Sequence, residues 1–388
     1  MSITIQLMDE RTLGRNFQVA TLGCIYCEAS NNLKKALEDG LATGFIRLDQ
    51  SLCEEMLSLI SAHLDKIAGE ERRKTMYPRL YPAGAKDFEI LKKAGIIKSN
   101  VLNASELKEA SANLTCQKLM DSVLMPMFLK HYVFSKYRSG NIVTNISIGS
   151  LWLALVGAIT SLAAVLNIND QRTEIYLVPD GTRSSMINSC SFYNLVYSKS
   201  QSVKRRFDQV LNDLTRKELS GVSVDQALSL AVMIHAVQDL NLIGRLVTYR
   251  VFEQFLIVKT IAEQRPQLVY ATPIIISSQL EQLIHKLGAQ NTQNLLRGLD
   301  NLVVKTLLPG KVGEGLKNAA VAASTSCLNS LFRYLETGDN STLLECAGNL
   351  ARLHSASVEA SVRDLAEQAK WLLIYLSMLV DPRRVGQD

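Results

Sequence analysis

"SIGSLWLALVGAITSLAAVLNINDQRTEIYLVPDG", residues 147–181, contains the longest uncharged part of the chain, because no Asp, Glu, Lys or Arg occurs from Asn141 to Asn169. About 20 apolar residues cross a bilayer, so length alone permits a membrane span. However, Ser, Thr and Asn interrupt the run, and a short strand, Glu174–Val178, follows directly and ends at a Pro-Asp-Gly turn. This order predicts a buried helix of a soluble domain packed on a sheet, with a membrane protein as the alternative.

Composition favours a helical globular protein. Of the 388 residues, 47% are apolar and 20% charged, and aromatic residues make up only 6%, so the core must consist mainly of Leu, Ile, Val and Ala. We therefore predict a mainly α fold with a small β component. A mixed α/β domain with basic loops is expected over residues 1–202, and a predominantly helical bundle over 203–388.

Several elements are predicted from local patterns. "SFYNLVYS" (191–198) suggests a second strand, and "QLVYATPIIISS" (267–278), with a proline inside, suggests an edge strand or extended crossing. Ser223 with Gln226, and Ser278 with Glu281, have the spacing of helix N-terminal caps. The last helix, within 361–380, is apolar over most of its C-terminal half and is expected to be central in the bundle.

The cysteines and the N-terminus predict a cytoplasmic protein. "MSITIQLMDERTLG" contains no apolar segment of the secretory type. Seven cysteines, an odd number, are scattered along the chain, which suits reduced thiols. Cys24 and Cys27 form one C-x-x-C, but no second pair lies at zinc spacing, so both thiols are expected to pack within a helix rather than bind metal or act in redox chemistry.

No catalytic signature is present. The chain lacks the phosphate-binding loop, the dinucleotide-binding glycine pattern, the nucleophile elbow and the zinc-protease motif. We expect no enzyme activity, catalytic residue, metal or cofactor, and we expect His235 to be a hydrogen-bonded core residue. The loop from Pro309 to Lys317 precedes a helix and is either a helix-to-helix connection with a solvated Lys311 or a phosphate-binding loop of an unfamiliar enzyme.

Basic clusters are the positive signal for function. The net charge is +5, which permits a nucleic-acid partner. Lys and Arg cluster beside tyrosines within 71–86, 130–141 and 197–207. In such a cluster the cations can contact phosphates and the aromatic rings can stack on bases. The alternative is that these are solvated helix ends. The predicted nucleic-acid-binding residues are Arg72, Arg73, Lys74, Arg79, Lys130, Lys136, Arg138, Lys199, Lys204, Arg205 and Arg206.

The order of these segments resembles a known family. "SLWLALVGAITSLAAVLN" running into "TEIYLVPDG", then "QLVYATPIIISSQLEQLIHKLG" and "GEGLKNAAVAASTSCLNSLFRYLETGD", are similar to the large subunit of the archaeal subtype I-A CRISPR interference complex, the Cascade. The likeness covers about residues 88–380. It lies in the order and composition of the segments and not in a diagnostic motif. Residues 1–87 match no part of that family.

The resemblance implies a non-catalytic subunit that binds target DNA. In such complexes the guide RNA reads the sequence by base pairing, while the protein checks a flanking duplex motif and holds the opened strands. The implied partners are target DNA, the crRNA-containing ribonucleoprotein, other Cascade subunits and a separate helicase-nuclease, with no membrane. The alternative is a helical scaffold or adaptor that does not bind nucleic acid.

Overall fold

The structure is a computed structural model that describes most of the chain. It consists mostly of helices, with three small antiparallel sheets, and its C-terminal part is helical. The predicted fold class, mainly α with a small β component, is therefore confirmed. The described residues are 2–10, 12–69, 85–99, 102–126, 129, 145–168, 171–197, 206–219, 221–237, 244, 247–261, 267–307 and 313–381.

Fourteen α-helices and eight strands lie within these residues. The helices are α1 (Leu13–Tyr26), α2 (Asn31–Thr43), α3 (Gln50–Ala68), α4 (Ala85–Lys93), α5 (Ala104–Ser111), α6 (Ile148–Ser161), α7 (Arg183–Tyr197), α8 (Phe207–Leu214), α9 (Val224–Ala236), α10 (Ser277–Leu287), α11 (Ala289–Leu307), α12 (Glu314–Thr337), α13 (Leu344–Glu359) and α14 (Arg363–Val380). The strands are β1 (Ile3–Gln6), β2 (Phe45–Leu48), β3 (Ser122–Leu124), β4 (Asn145–Ser147), β5 (Leu162–Ile168), β6 (Gln171–Pro179), β7 (Phe255–Ile261) and β8 (Gln267–Pro273).

The uncharged stretch forms a buried helix and then a strand. Every residue of α6 is buried, which confirms the predicted core helix. The helix ends at Ser161, however, and 162–168 continues as β5, which pairs antiparallel with β6. The strand β5 therefore separates the buried helix from the strand predicted at Glu174–Val178. Among the described residues, no helix is both long enough and apolar enough to cross a membrane.

The largest sheet has four antiparallel strands in the order β5-β6-β7-β8. The predicted strand at Glu174–Val178 is confirmed as part of β6, and β8 lies at one edge of the sheet, as predicted for the segment 267–278. The predicted strand at 191–198 is wrong, because these residues belong to α7 up to Tyr197. Packing explains the difference: Phe192 of this helix stacks on Phe255 of β7 with ring centroids 3.7 Å apart.

Helices α1 and α6 form the centre of the N-terminal part and touch through their backbones. A Cβ atom added to Gly157 of α6 would lie 1.7 Å from the carbonyl oxygen of Phe17, so only glycine permits this approach. Buried polar side chains also join the pair. Gln18 Nε2 donates to the carbonyl oxygen of Ser150 at 2.9 Å, and Thr21 Oγ1 donates to that of Leu153 at 2.6 Å.

The predicted helix caps have mixed outcomes. Ser223 and Gln226 form a reciprocal capping box at the start of α9, as predicted. Ser278 is not a cap, because α10 already begins at Ser277 and the residue before the helix is Ile276.

The prediction that the last helix, α14, is central in the bundle is only partly right. This helix buries one face, including Leu372 and Leu376, but Trp371 is 54% exposed.

The chain divides into two compact units. One comprises Met1–Asn194 and Glu253–Ile274, and the other comprises Leu195–Phe252 and Ile275–Asp388. The first contains the four-stranded sheet, because β7 and β8 return to pair beside β6. The second contains the helices α8 to α14. The division at residues 202 and 203 stays a prediction.

Two disulfides correct the expectation of reduced thiols. Cys53 is bonded to Cys116 in the first unit, and Cys327 to Cys346 in the second. The pairs were not visible in the sequence because the partners are 63 and 19 residues apart, in segments without a disulfide-framework pattern. Cys24, Cys27 and Cys190 are not in disulfides.

Candidate nucleic-acid interface

The predicted nucleic-acid-binding residues lie mostly outside the described part of the chain. Arg206 is the exception, and its geometry is given below. For Lys86, which belongs to the first basic cluster, only the backbone is described, as part of α4. The residues outside the described ranges are Arg72, Arg73, Lys74, Arg79, Lys130, Lys136, Arg138, Lys199, Lys204 and Arg205.

The described elements on either side of each basic cluster are known. The first cluster follows Gly69 at the end of α3 and extends to Lys86 at the start of α4. The second lies between β3 and β4, whose pairing sets Leu124 opposite Asn145. The third connects α7 to α8, and its two ends meet where the rings of Tyr197 and Phe207 lie edge to face, 6.2 Å apart. In the sequence, each cluster therefore falls mostly between two described elements.

Arg206 lies immediately before α8 and serves as its N-terminal cap residue. Its backbone N–H donates to Gln209 Oε1 at 3.2 Å. Its guanidinium is half exposed and contacts the carboxylate of Asp208, with Nη2 and Oδ2 3.4 Å apart. This neighbouring carboxylate balances part of the Arg206 charge, so Arg206 is less available to a phosphate than a solvated arginine would be.

The loop between Pro309 and Lys317 has an acidic residue where a phosphate would bind. Residues 308–312 lie outside the described ranges, and α12 begins at Glu314 after Gly313. Free backbone N–H groups at a helix N-terminus favour anions, but the Glu314 carboxylate occupies the first turn and opposes a second negative charge there. The described part of this loop therefore favours the connection over the phosphate site.

Three of the described histidines sit in structural positions. His235 is buried and its ring lies edge to face with Phe207, with centroids 5.6 Å apart, which confirms its predicted place in the core. His63 shares a 2.9 Å hydrogen bond with Thr160, and His354 contacts the carbonyl oxygen of Ala366 at 3.0 Å. Within the described ranges, no three His, Cys, Asp or Glu residues are arranged to hold a metal ion.

Buried charges are held in place by their neighbours. Arg15 of α1 is 1% exposed and donates from Nη2 to the carbonyl oxygen of Leu41 at 2.9 Å, and burial lowers the pKa of its guanidinium. Glu174 of β6 accepts hydrogen bonds from Arg172 Nε at 3.1 Å and from the Tyr176 hydroxyl at 2.7 Å. Burial, then the Glu174 charge, raises the pKa of Tyr176 well above its ordinary value. These groups stabilise the core rather than face a ligand.

The prediction that both thiols of the C-x-x-C segment pack within a helix is wrong for Cys27. Cys24 lies within α1, but Cys27 follows the end of the helix and is exposed. Its thiol shares a hydrogen bond with Cys190 of α7, and this bond, followed by burial, raises the pKa of Cys27. The same bond lowers the pKa of Cys190 to about 7. No sequence pattern pointed to this pair, because Cys190 is remote from the C-x-x-C.

Comparison with protein-family models, curated proteins and solved structures finds no match to this chain.

Proposed function

We propose that this chain is a non-catalytic, nucleic-acid-binding large subunit of an RNA-guided antiviral surveillance complex, acting in the cytoplasm. It contacts the flanking-motif duplex and the opened strand of target DNA, and it helps recruit the helicase-nuclease. The proposal rests on the resemblance to the archaeal Cascade subunit and on the basic clusters at 71–86, 130–141 and 197–207.

The observation that carries the proposal is the separation of basic from acidic residues. From Ser122 to Asn169 the chain has no Asp or Glu, and the same is true from Gly181 to Phe207. The second and third basic clusters lie inside these two stretches of the sequence. Lysines and arginines without nearby carboxylates in the sequence are suited to neutralise phosphates.

The disulfides are compatible with a cytoplasmic archaeal protein. Disulfides are rare in most cytosolic proteins, but intracellular proteins of hyperthermophilic archaea are an established exception. The pairs Cys53–Cys116 and Cys327–Cys346 therefore agree with the origin that the resemblance implies.

A filter-binding series tests the proposal. The full-length protein is titrated against a duplex and a single strand between about 50 and 200 mM salt, where a protein that makes several phosphate contacts loses most of its affinity. The charge-reversed variant Lys136→Glu/Arg138→Glu, and separately Lys204→Glu/Arg205→Glu, is expected to weaken retention. Each lost contact lowers the salt slope by about 0.9 on the duplex or about 0.7 on the single strand.

The matched control reverses two charges far from these clusters in the sequence. Arg352 of α13 and Lys370 of α14 are both exposed on helices, so Arg352→Glu/Lys370→Glu changes the net charge equally and is expected to leave the salt slope unchanged. Absence of any DNA retention at low salt contradicts the proposal. An equal loss in the control variant also contradicts it, since binding would then follow net charge alone.

The second candidate, a helical scaffold or adaptor, is favoured by exposed apolar side chains on the C-terminal helices. Trp371 of α14 is 54% exposed and its ring is stacked on Tyr375, with centroids 6.4 Å apart, and Val358 of α13 is 58% exposed. Exposed aromatic residues are typical of protein interfaces. This candidate predicts that the charge reversals leave all partner contacts intact and that DNA retention does not depend on them.

A further inference from the structure

Helices α1 and α7 of the first unit are in close contact near the end of α1. A Cβ atom added to Gly23 would lie 2.3 Å from the Cβ atom of Ser189 and 2.5 Å from the carbonyl oxygen of Met186. Cys27 follows Gly23 by about one helical turn, and Cys190 follows Ser189 directly. The close packing of α1 and α7 therefore places both cysteines near the same helix contact.

The environment of the two thiols suits thiol chemistry. Asn194 Nδ2 donates to Cys190 Sγ at 3.5 Å, and the Cys27 thiol shares a hydrogen bond with the same sulfur. Lys66 of α3 and Glu28 lie close enough to act on Cys190, and they are bound to each other by a 2.6 Å ion pair. It is chiefly the hydrogen bond from Cys27 that lowers the pKa of Cys190 and favours the thiolate, which is the nucleophile in disulfide exchange. Burial and the Glu28 charge raise this pKa, and the Lys66 charge lowers it. The pKa of Cys190 is accordingly about 7, chiefly because of the hydrogen bond with Cys27.

We propose that Cys27 and Cys190 form a redox-active dithiol whose substrates are disulfide compounds, and whose oxidation links the end of α1 covalently to α7. Both side chains are accessible, since Cys27 is exposed and Cys190 is partly so. The chain already contains two disulfides, so oxidised cysteines are part of its folded state. This site is independent of the proposed binding of nucleic acid.

The reaction is two successive exchanges with a small disulfide such as glutathione disulfide. The Cys190 thiolate attacks one sulfur of the disulfide, a bond between Cys190 and glutathione forms, and a glutathione thiolate leaves. Cys27 then loses its proton to solvent and attacks Cys190 Sγ, which displaces the second glutathione thiolate. Two protein thiols are oxidised, and one glutathione disulfide is reduced to two glutathione molecules.

Peptide mapping of the folded, full-length protein tests the site directly. The protein is incubated with glutathione disulfide, its remaining thiols are alkylated, and its disulfide-linked peptides are identified by mass spectrometry. We expect a new peptide pair joining Cys27 to Cys190, with accessible free thiols falling from three to one. The Cys190→Ser variant is expected to lose the new link. The matched variant Cys24→Ser keeps it, because Cys24 is not one of the two reacting thiols.

The order of attack is tested by the pH dependence of alkylation. The rate of Cys190 alkylation by iodoacetamide is expected to be half-maximal near pH 7, since the thiolate predominates above its pKa of about 7. In Cys27→Ala the midpoint is expected to rise, because the hydrogen bond that stabilises the thiolate is gone. The proposal is overturned if Cys27 and Cys190 both stay alkylatable after oxidation, or if the new disulfide involves Cys24.

Discussion

The two units of this protein are built on different kinds of packing. In the first, α1 and α6 meet through their backbones at Gly157, where a Cβ atom would fall 1.7 Å from a carbonyl oxygen. In the second, a helix contact is made at Gly298 of α11, where a Cβ atom would lie 2.9 Å from Cδ2 of Leu372 and 3.0 Å from Nε2 of Gln368. One contact involves rigid backbone, and the other involves the ends of flexible side chains.

From this difference we expect the core of the first unit to be more specific than that of the second. Gln18 and Thr21 in the first unit are buried and bonded to backbone carbonyls of α6, so the two helices can dock in only one register. The second unit also contains a buried bond of this kind, from Gln293 Nε2 to the carbonyl oxygen of Val237 at 2.6 Å. However, α11 and α14 meet through side chains such as Leu372, and side-chain packing of that kind tolerates repacking. The first unit is therefore expected to be the more sensitive to small changes in volume.

Removing the disulfides is expected to have the largest effect on the free energy of unfolding. The size of the loss is expected to differ between the two units. The Cys53–Cys116 bond spans 63 residues and the Cys327–Cys346 bond spans 19. The entropy of loop closure predicts a loss of about 4 kcal/mol for Cys53→Ala/Cys116→Ala and about 3 kcal/mol for Cys327→Ala/Cys346→Ala. Urea unfolding followed by circular dichroism measures both losses.

The two tryptophans help to assign these losses. Trp152 of α6 is 1% exposed and Trp371 of α14 is 54% exposed, and they are the only tryptophans in the chain. In a Trp371→Phe background, fluorescence follows Trp152 and so reports the first unit. Equal losses for the two double variants would contradict the loop-length explanation.

Gly157→Ala is expected to cause the next largest loss of stability. The added methyl group meets the backbone of Phe17, so the helices must separate, and overpacking of this kind costs about 3 kcal/mol. The matched substitution Gly298→Ala meets only side-chain ends, and its better helix propensity offsets part of the clash, so a change within about 1 kcal/mol is expected. Urea midpoints of the two variants measure the difference, and a Gly157→Ala midpoint equal to that of Gly298→Ala would show that α1 and α6 separate easily.

Hydrophobic periodicity and capping residues in the sequence correctly predicted several elements of the fold. The buried helix α6, the strand β6 and the capping box at Ser223 follow from residues close in sequence. The switch from helix to strand at Leu162 did not, because "SLAAVLN" has no glycine or proline at that point. It depends on pairing with β6, which begins nine residues later. The helix α7 was missed for the same reason, since its aromatic residues favour a strand locally but pack on β7.

The candidate sites, too, could be predicted only where their residues lie close together in the sequence. A basic cluster is visible in one short stretch of sequence, so the three clusters were found without structural information. A pair such as Cys27 and Cys190 depends on two helices meeting, and α1 and α7 meet only because Gly23 allows it. The disulfide partners were hidden likewise, because nothing in the local sequence of Cys53 points to Cys116. Contacts between remote segments are tertiary properties, and local patterns do not encode them individually.

The smallest expected effect is a gain in stability in the second unit. Gly348 lies inside α13, is exposed, and has no atom within 4 Å of the position that a Cβ would occupy. Gly348→Ala therefore adds no clash and restricts the unfolded chain, which should stabilise the helix by about 0.5–1 kcal/mol. The urea midpoint measured by circular dichroism is expected to rise. A fall would mean that this face of α13 is covered in solution, and the contrast between a tolerant second unit and a rigid first unit would then have to be drawn at other positions.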